Sequence, residues 1–150
     1  MNVQSFLSSI VLISVFTFSP IEKAYALPKS QLNCLAEAVY FEARGEPKSG
    51  QKLVAKTILQ RTKSPKFPST VCGAVNQKSQ FSYKSGRNLR IREPKKYKEI
   101  ESLVKVEAQK FSPSSSHPLY FYNPKKARPA WAKRMKVLQR AGNHVFLRPT

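Results

Sequence analysis

Aspartate is absent from this chain of 150 residues, so all eight of its acidic side chains are glutamates. Lysine and arginine number 27, which leaves a formal net charge of +19 at pH 7. Without aspartate, no Ser/His/Asp triad can be built. The absence also weakens the case for a retaining hydrolase with two carboxylates, although a second glutamate could still serve there.

Histidine and cysteine are scarce too, with two of each. His117 and His144 lie far apart in the sequence, and no aspartate completes a ligand set with them, so a zinc site is not predicted. No glycine-rich loop of the kind that holds a phosphate follows the N-terminal segment. We therefore expect neither a metal nor a cofactor.

Only the N-terminal segment carries a long apolar run, over residues 6–18, followed by Pro20 and a small-residue motif, Ala-Tyr-Ala, at 24–26. This pattern predicts a signal peptide over residues 1–26, although no lysine or arginine precedes the run. An uncleaved anchor is the alternative, but the run is shorter than the ~20 residues that span a bilayer. Residues 27–150 should then form one exported catalytic domain, in the periplasm or outside the cell at its wall.

The two cysteines, Cys34 and Cys72, both lie in the part of the chain that we expect to be exported. In an oxidising compartment, an even pair most simply forms one disulfide, and two buried free thiols are the alternative. The bridge would join positions 38 residues apart. A loop of that length contributes roughly 3–4 kcal/mol in the chain-entropy model.

The basic surface must meet a negatively charged partner. A pI near 10.3 often indicates nucleic-acid binding, but the predicted signal peptide argues against that partner. Outside the cytoplasm, the anionic partners are lipid head groups and cell-wall polymers, so we expect loose attachment to a wall or membrane surface. No feature of the sequence indicates an oligomer, and a monomer is expected.

Apolar residues at helical spacing predict that the first part of the chain is helical. One helix should run over residues 30–44, with its first residue, a serine, as N-cap, and a second should begin after Gly50. A short helix capped by Ser69 or Thr70 should follow. The clearest later helix should open at Pro94, because proline is favoured in a first helical turn.

The last third of the chain is typical of strands. Residues 77–92 are polar and basic and predict a loop or a short strand. Strands are expected over 119–122, 137–139 and 144–147, and in the first of them Phe121 should face the core while its tyrosine neighbours are partly exposed. Helices first and a small antiparallel sheet in the C-terminal half make an α+β domain.

Seven glutamates lie beyond residue 26, and three of them, Glu37, Glu42 and Glu46, fall within ten residues of one another. Glu42 lies in the last turn of the predicted first helix. The negative end of the helix dipole and partial burial should both raise the pKa of its carboxyl group. A carboxylic acid kept protonated in this way is what glycosidic bond cleavage needs as its general acid.

Other roles remain open for this cluster. Arg44 would oppose the rise in the pKa of Glu42 if its guanidinium group pointed at the Glu42 carboxyl group. Glu46 can form a surface ion pair with Lys48 or Arg44, or cap the next helix, as readily as support catalysis. Glu37 should be solvated. On pattern alone, a single glutamate near a helix end is structural more often than catalytic.

Aromatic and amide side chains suggest a surface for sugars. Sugar rings pack their C–H faces on aromatic rings, and amides bind hydroxyl or acetamido groups. The alternative is that about half of these rings belong to the core. The candidate substrate-binding residues are Gln80, Phe81, Ser82, Tyr83, Tyr120, Tyr122 and Asn123.

Several stretches together carry a family resemblance. They are Cys-Leu-Ala-Glu-Ala-Val-Tyr-Phe-Glu-Ala-Arg-Gly-Glu-Pro at 34–47, Ser-Pro-Lys-Phe-Pro at 64–68, Thr-Val-Cys-Gly at 70–73, Gln-Phe-Ser-Tyr at 80–83, Leu-Tyr-Phe-Tyr-Asn-Pro at 119–124, Pro-Ala-Trp at 129–131 and Gly-Asn-His-Val-Phe at 142–146. In this order they resemble the cell-wall hydrolase family typified by the spore cortex-lytic enzyme SleB. The chain departs from many relatives at Ser79, where they have Cys, and from some at Tyr120 and Tyr122, where they have His.

The resemblance implies a small lysozyme-like or transglycosylase-like fold and an activity on peptidoglycan glycan strands. Its catalytic glutamate matches Glu42, with Arg44 and Glu46 as possible supporting residues. In the mechanism of the family, this acid protonates the oxygen between N-acetylmuramic acid and N-acetylglucosamine. It then acts as a base while the muramoyl 6-hydroxyl closes a 1,6-anhydro ring.

Two alternatives stay open. A hydrolytic muramidase or glucosaminidase would use the same glutamate, and only its products would differ. A cationic protein that binds a wall or a membrane without catalysis would account for the charge alone.

Overall fold

The computed structural model describes residues 26–78, 80–85 and 89–150, so all but the last residue of the predicted signal peptide lie outside the described residues. Within these ranges, four α-helices come first, and a three-stranded sheet follows. The helices are Lys29–Ala43 (α1), Lys48–Arg61 (α2), Val71–Asn76 (α3) and Pro94–Gln109 (α4), and the strands are Tyr120–Tyr122 (β1), Met135–Ala141 (β2) and His144–Pro149 (β3). This arrangement confirms the predicted α+β class.

Helix α1 is the centre of the core and packs against all three other helices. Leu35, Val39 and Tyr40 are almost fully buried on its inner face, and each such side chain stabilises the fold by about 1.5–3 kcal/mol. The Tyr40 hydroxyl accepts hydrogen bonds from the backbone N–H groups of Arg92 and Glu93, at 3.2 and 3.1 Å. The C-terminal half of α1 is therefore fixed to the start of α4.

Two predicted helix starts were wrong by one to three residues. Helix α1 begins at Lys29, with Pro28 at the N-cap and no side-chain cap from Ser30. Helix α2 begins at Lys48, so Gly50 lies inside its first turn. The extended conformation of Pro47 (φ −60°, ψ 157°) already ends the preceding loop there.

The remaining helix predictions were confirmed. The Thr70 side chain caps α3 by accepting a hydrogen bond from the Gly73 N–H at 3.1 Å, and Pro94 lies in the first turn of α4. In the 77–92 segment, the described residues contain a 3-10 helix, Ser82–Ser85, and no strand.

The Cys34–Cys72 disulfide is present and ties α1 to α3. Among the described residues, no helix is long and apolar enough to cross a membrane.

The sheet is antiparallel in the order β1–β3–β2 and packs against α2. Its central strand, β3, is buried at four consecutive positions, from His144 to Leu147. Gly142 adopts φ +57° in the turn between β2 and β3, a left-handed conformation that favours glycine. All three predicted strands were confirmed, but Phe121 is only half-buried, like both neighbouring tyrosines, and packs on the edge of the core.

Candidate active site

Glu42 occupies the last turn of α1, beside the buried stripe of the helix. Its side chain is half-buried. Burial raises the pKa of the Glu42 carboxyl group, and the positive charges of Lys126 and Arg61 oppose that shift without reversing it. Among the described residues, none donates a hydrogen bond to this carboxyl group and none forms an ion pair with it. The raised pKa predicted from the sequence is therefore confirmed, and burial is its main cause.

Arg44 does not point at Glu42. Its Nε atom lies 3.0 Å from a carboxylate oxygen of Glu93, in a pair that is about half-exposed. Its guanidinium carbon also lies 5.0 Å from the centre of the Tyr40 ring. Arg44 thus strengthens the junction between α1 and α4, and the cations that act on Glu42 come from elsewhere.

Arg61, the last residue of α2, is one of these cations and is only 4% exposed. Its Nε donates a hydrogen bond to the Leu119 carbonyl at 2.8 Å. Burial lowers the pKa of Arg61 to about 10, while Tyr120 and Glu42 oppose the shift. Its guanidinium carbon lies 5.0–5.9 Å from the centres of four rings, those of Phe67, Phe81, Tyr120 and Phe121.

Sequence reasoning missed Arg61, although a signal was present. The residue follows Val54 and Ile58 at helical spacing, so it continues the buried face of α2. A charged residue on an apolar face needs partners when it is buried. Its Nη1 atom has no hydrogen-bond partner among the described residues, and the aromatic rings supply cation–π contacts in its place.

Glu46 forms neither of the ion pairs considered from the sequence, with Lys48 or with Arg44. It accepts a hydrogen bond from the Asn143 backbone N–H at 2.8 Å and one from the Asn143 side chain at 3.2 Å. The Nδ1 atom of buried His144 lies 3.7 Å from Glu46 Oε1, the oxygen that accepts the Asn143 side-chain amide. Burial raises the pKa of Glu46, but these hydrogen bonds and the charges of His144 and Lys125 outweigh it, so the net pKa is lowered.

From its position off the core stripe, Glu37 was expected to be solvated, but the structure gives it a charged partner. It forms a hydrogen-bonded ion pair with Lys84 at 2.6 Å, and both side chains are about one-third exposed. Lys84 belongs to the 3-10 helix Ser82–Ser85. This pair therefore connects the end of the Gln80–Tyr83 segment to the outer face of α1.

The Gln80–Tyr83 segment contributes unequally to the site. Tyr83 stacks on Phe41, the neighbour of Glu42, with ring centres 4.8 Å apart and planes 16° apart. Burial raises the pKa of Tyr83, and the negative charges of Glu37 and Glu42 add to the shift. Gln80 is half-buried and Ser82 is exposed. Phe81 is only 2% exposed, so its ring supports Tyr83 and Arg61 and offers no surface to a ligand.

The late aromatic residues form a cluster at the end of β1. Tyr120 and Tyr122 contact Trp131 with ring centres 5.6 and 6.0 Å apart, and Tyr120 also packs on Phe67 at 5.7 Å. All four rings are half-buried, which leaves edges available to a ligand. Asn123 is less free, because its side-chain oxygen accepts the Lys125 N–H at 2.9 Å and shapes the turn after the strand.

The site thus combines one half-buried carboxyl group with a raised pKa, flanking aromatic rings and two nearby cations. Within the described residues, no three His, Cys, Asp or Glu side chains lie together as a metal site. Such an arrangement can donate a proton from Glu42 and accept one back, since the group is neither ion-paired nor hydrogen-bonded to the described chain.

A family model described as Cell Wall Hydrolase matches residues 45–147. That range begins three residues after Glu42. The spore cortex-lytic enzyme of Bacillus subtilis (strain 168) is 32% identical over 117 residues, 78% of this chain. That of Halalkalibacterium halodurans is 32% identical over 130 residues, 84% of this chain. The chain spans only 37% and 38% of the lengths of these two relatives.

Solved structures give a consistent result. The catalytic domain of the germination-specific lytic transglycosylase SleB from Bacillus anthracis superposes with a TM-score of 0.70 and 27% identity, covering 83% of this chain and 98% of that domain. The catalytic domain of the Bacillus cereus SleB protein gives a TM-score of 0.67, also at 27% identity, covering 83% of this chain and 97% of that domain. Sequence and fold agree that this chain belongs to the cell wall hydrolase family and has the fold of a SleB catalytic domain.

Proposed function

We propose that this chain is a peptidoglycan lytic transglycosylase that cleaves the bond between N-acetylmuramic acid and N-acetylglucosamine with Glu42 as its general acid and base. The observation that carries the proposal is the state of Glu42. Its carboxyl group is half-buried, has a raised pKa and lies in a fold shared with the catalytic domain of a lytic transglycosylase.

In the first half of the reaction, the protonated Glu42 carboxyl donates its proton to the bridging oxygen. The bond between that oxygen and C1 of the muramoyl residue breaks, and N-acetylglucosamine leaves with the proton. Burial supports this step because desolvation favours the neutral form of a carboxylic acid. The C-terminal end of α1 favours it too, since the helix dipole is negative there.

In the second half, the Glu42 carboxylate accepts the proton of the muramoyl C6 hydroxyl group. The C6 oxygen bonds to C1 and closes the 1,6-anhydro ring, and Glu42 regains the proton that it gave away. The cations of Lys126 and Arg61 stabilise the carboxylate that exists between the two halves. No water enters the balance, so no second carboxylate is needed to activate one.

The neighbouring glutamates already have structural tasks, which supports a mechanism with one carboxyl group. Glu46 holds the turn between β2 and β3 through Asn143, and Glu37 is paired with Lys84. We assign the glycan strand to the surface formed by Gln80, Ser82, Tyr83, Tyr120 and Tyr122, with the Asn123 side-chain amide at its margin. Arg44 supports the site only indirectly.

The proposed substrate and the two cysteines also support a location for the enzyme. We propose that residues 1–26 direct export, and that the domain works as a monomer in the periplasm or at the cell wall. The Cys34–Cys72 disulfide fits an oxidising compartment of that kind. A net charge of +19 would hold the domain on anionic wall or membrane surfaces, and wall binding that survives high salt would contradict this attachment.

Digestion of purified peptidoglycan tests the proposal directly. Mass analysis of the products should find muramoyl ends that are lighter by one water molecule than hydrated ends, as the anhydro ring requires. Hydrated ends would instead identify a hydrolytic muramidase or glucosaminidase. Binding without any cleavage would identify a cationic wall-binding protein.

A further inference from the structure

The positive charge of this protein is unevenly distributed along the chain. Residues 108–150 contain no acid, while the seven glutamates beyond residue 26 all lie at or before Glu107. Five of the basic residues in this acid-free part lie in the connection between β1 and β2: Lys125, Lys126, Arg128, Lys133 and Arg134. All five are exposed, and none forms an ion pair with a described glutamate.

The connection begins beside the catalytic end of α1. Tyr122, the last residue of β1, pairs with Val145 of β3. The two residues before Val145 are Asn143, which hydrogen-bonds to Glu46, and His144. Glu46 follows Glu42 by only four positions, so the chain leaves β1 at the edge of the proposed active site.

A tight turn fixes the first two lysines at this edge. The Asn123 carbonyl accepts the backbone N–H groups of Lys126 and Ala127, both at 3.0 Å, and its side-chain oxygen accepts that of Lys125 at 2.9 Å. The backbone of Lys125 and Lys126 is therefore held in place, while their ammonium groups remain exposed. Lys126 also lies close enough for its charge to act on Glu42, as does that of Lys125 on Glu46.

We propose that Lys125 and Lys126 form a subsite for the carboxylates of the peptide stem, so that the enzyme prefers glycan strands that carry stems. This inference rests on the proposed function. The stem is attached to the lactyl group of N-acetylmuramic acid, the sugar whose C1–oxygen bond would be cut. It must therefore emerge next to Glu42, where two exposed ammonium groups, neither of them in an ion pair with a described glutamate, can bind its free carboxylates.

The inference is tested by comparing two forms of the same peptidoglycan, one intact and one stripped of its stems by an amidase. The wild-type chain should cleave the stem-bearing strands with a kcat/KM several-fold higher, mainly through a lower KM. The preference should shrink in high salt, because exposed charges are screened. In Lys126→Gln, the ratio of the two kcat/KM values should fall about two- to five-fold, as expected for an exposed charge pair.

The ratio is the readout because the loss of Lys126 also acts on Glu42, and that effect is the same for both substrates. Lys105→Gln is the matched control: it removes the same charge from an exposed position of α4. Lys105 lies beside Leu32 and Asn33, near the opposite end of α1 from Glu42. The Lys105→Gln variant should therefore leave the ratio of the two kcat/KM values unchanged.

Equal kcat/KM values on both substrates for the wild type would overturn the subsite and leave the proposed function intact. The same holds if the ratio is unchanged in Lys126→Gln, or falls equally in Lys105→Gln. If no strand is cleaved, the proposed function fails, and binding of the Glu42→Gln chain to intact and stripped peptidoglycan still decides the subsite. Equal binding to both forms would then contradict the proposed subsite.

Discussion

Glu42, in the last turn of α1, and Glu46, in the loop that follows, lie four residues apart and have opposite environments. Glu46 accepts two hydrogen bonds from Asn143, and the net pKa of its carboxyl group is lowered. Glu42 is half-buried without a hydrogen-bond partner among the described residues, and its pKa is raised. The two residues are of the same type and close in sequence, so their surroundings decide which acid is kept ionised and which is ready to donate a proton.

The contacts around Glu46 stabilise the turn between β2 and β3. Gly142 leaves room for the Glu46 carboxylate, because a Cβ atom there would collide with its Oε2 atom and lie 2.8 Å from Pro47 Cδ. The turn between β2 and β3 is thereby fixed against the loop that follows α1. Glu42 has no such connection to any residue that the structure describes, and that is what makes it available to a substrate.

Exchanging Glu42 for Gln should have the largest effect on activity. The variant keeps the size of the side chain but cannot donate a proton, so the rate of peptidoglycan cleavage should fall about 10²–10⁴-fold, the usual contribution of a general acid. Release of anhydromuramoyl products measures it. Glu46→Gln is the matched control and should keep most of the activity in the folded fraction. Equal activity of wild type and Glu42→Gln would remove the catalytic assignment.

Exchanging Glu46 for Ala should have the largest effect on stability. It leaves the Asn143 N–H groups without their charged acceptor, which costs about 1.5–3 kcal/mol in the free energy of unfolding. Denaturant unfolding measures this loss. Glu99→Ala is the control, since Glu99 is about half-exposed and pairs with Lys96 one helical turn away; it should cost less than about 0.5 kcal/mol. Similar losses in both variants would mean that Glu46 does not stabilise the turn.

The pH dependence of stability should carry opposite signs for the two acids. The pKa of Glu42 in the folded state is above its ordinary value of 4.5. Its contribution to the free energy of unfolding therefore decreases as the pH rises from 4.5 through the folded pKa. Glu46 has a folded pKa below 4.5, so its contribution is present above 4.5 and is lost as the pH falls through the folded pKa.

The Gln variants separate these contributions when unfolding is measured from acidic to neutral pH. Glu42→Gln should become more stable relative to wild type as the pH rises, whereas Glu46→Gln should lose its deficit in acid. Buried His144, whose pKa is lowered by burial, adds an acid-side loss of stability that the wild type and Glu42→Gln share. In Glu46→Gln this loss is larger at mildly acidic pH, because the Glu46 charge that raises the pKa of His144 is gone. Curves of the same slope for the two variants would contradict the contrast between the two environments.

The sequence predicted the candidate acid better than it predicted what surrounds it. Helical spacing places Glu42 at the end of α1 because local periodicity determines which face of a helix is buried. The partners of Glu46 and Glu37 lie 97 and 47 residues away along the chain. Arg61 likewise meets Tyr120 and Phe121 only when the sheet packs on α2. No local pattern encodes such pairings, and they decide the electrostatics.

The same limitation of local sequence patterns explains why the starts of α1 and α2 were predicted wrongly. Ser30 and Gly50 carry local capping and breaking signals, but Pro28 and Pro47, each two or three residues earlier, precede the helices in the structure. Gly50 is instead buried where α2 meets the end of β2, and a Cβ atom there would make close contacts, 3.3 Å from Glu46 Cβ and 3.4 Å from the Ala141 carbonyl oxygen. Its small size serves helix–sheet packing.

The smallest effect should come from Arg44, the cation nearest to Glu42 in sequence. Its pair with Glu93 is about half-exposed, so Arg44→Gln should cost less than about 1 kcal/mol in the free energy of unfolding. It should also leave the basic limb of the pH–rate profile in place. Lys126→Gln removes a charge that lowers the pKa of Glu42, so that limb should move to higher pH. A shift with Arg44→Gln and none with Lys126→Gln would mean that sequence proximity, and not the fold, sets the proton affinity of the acid.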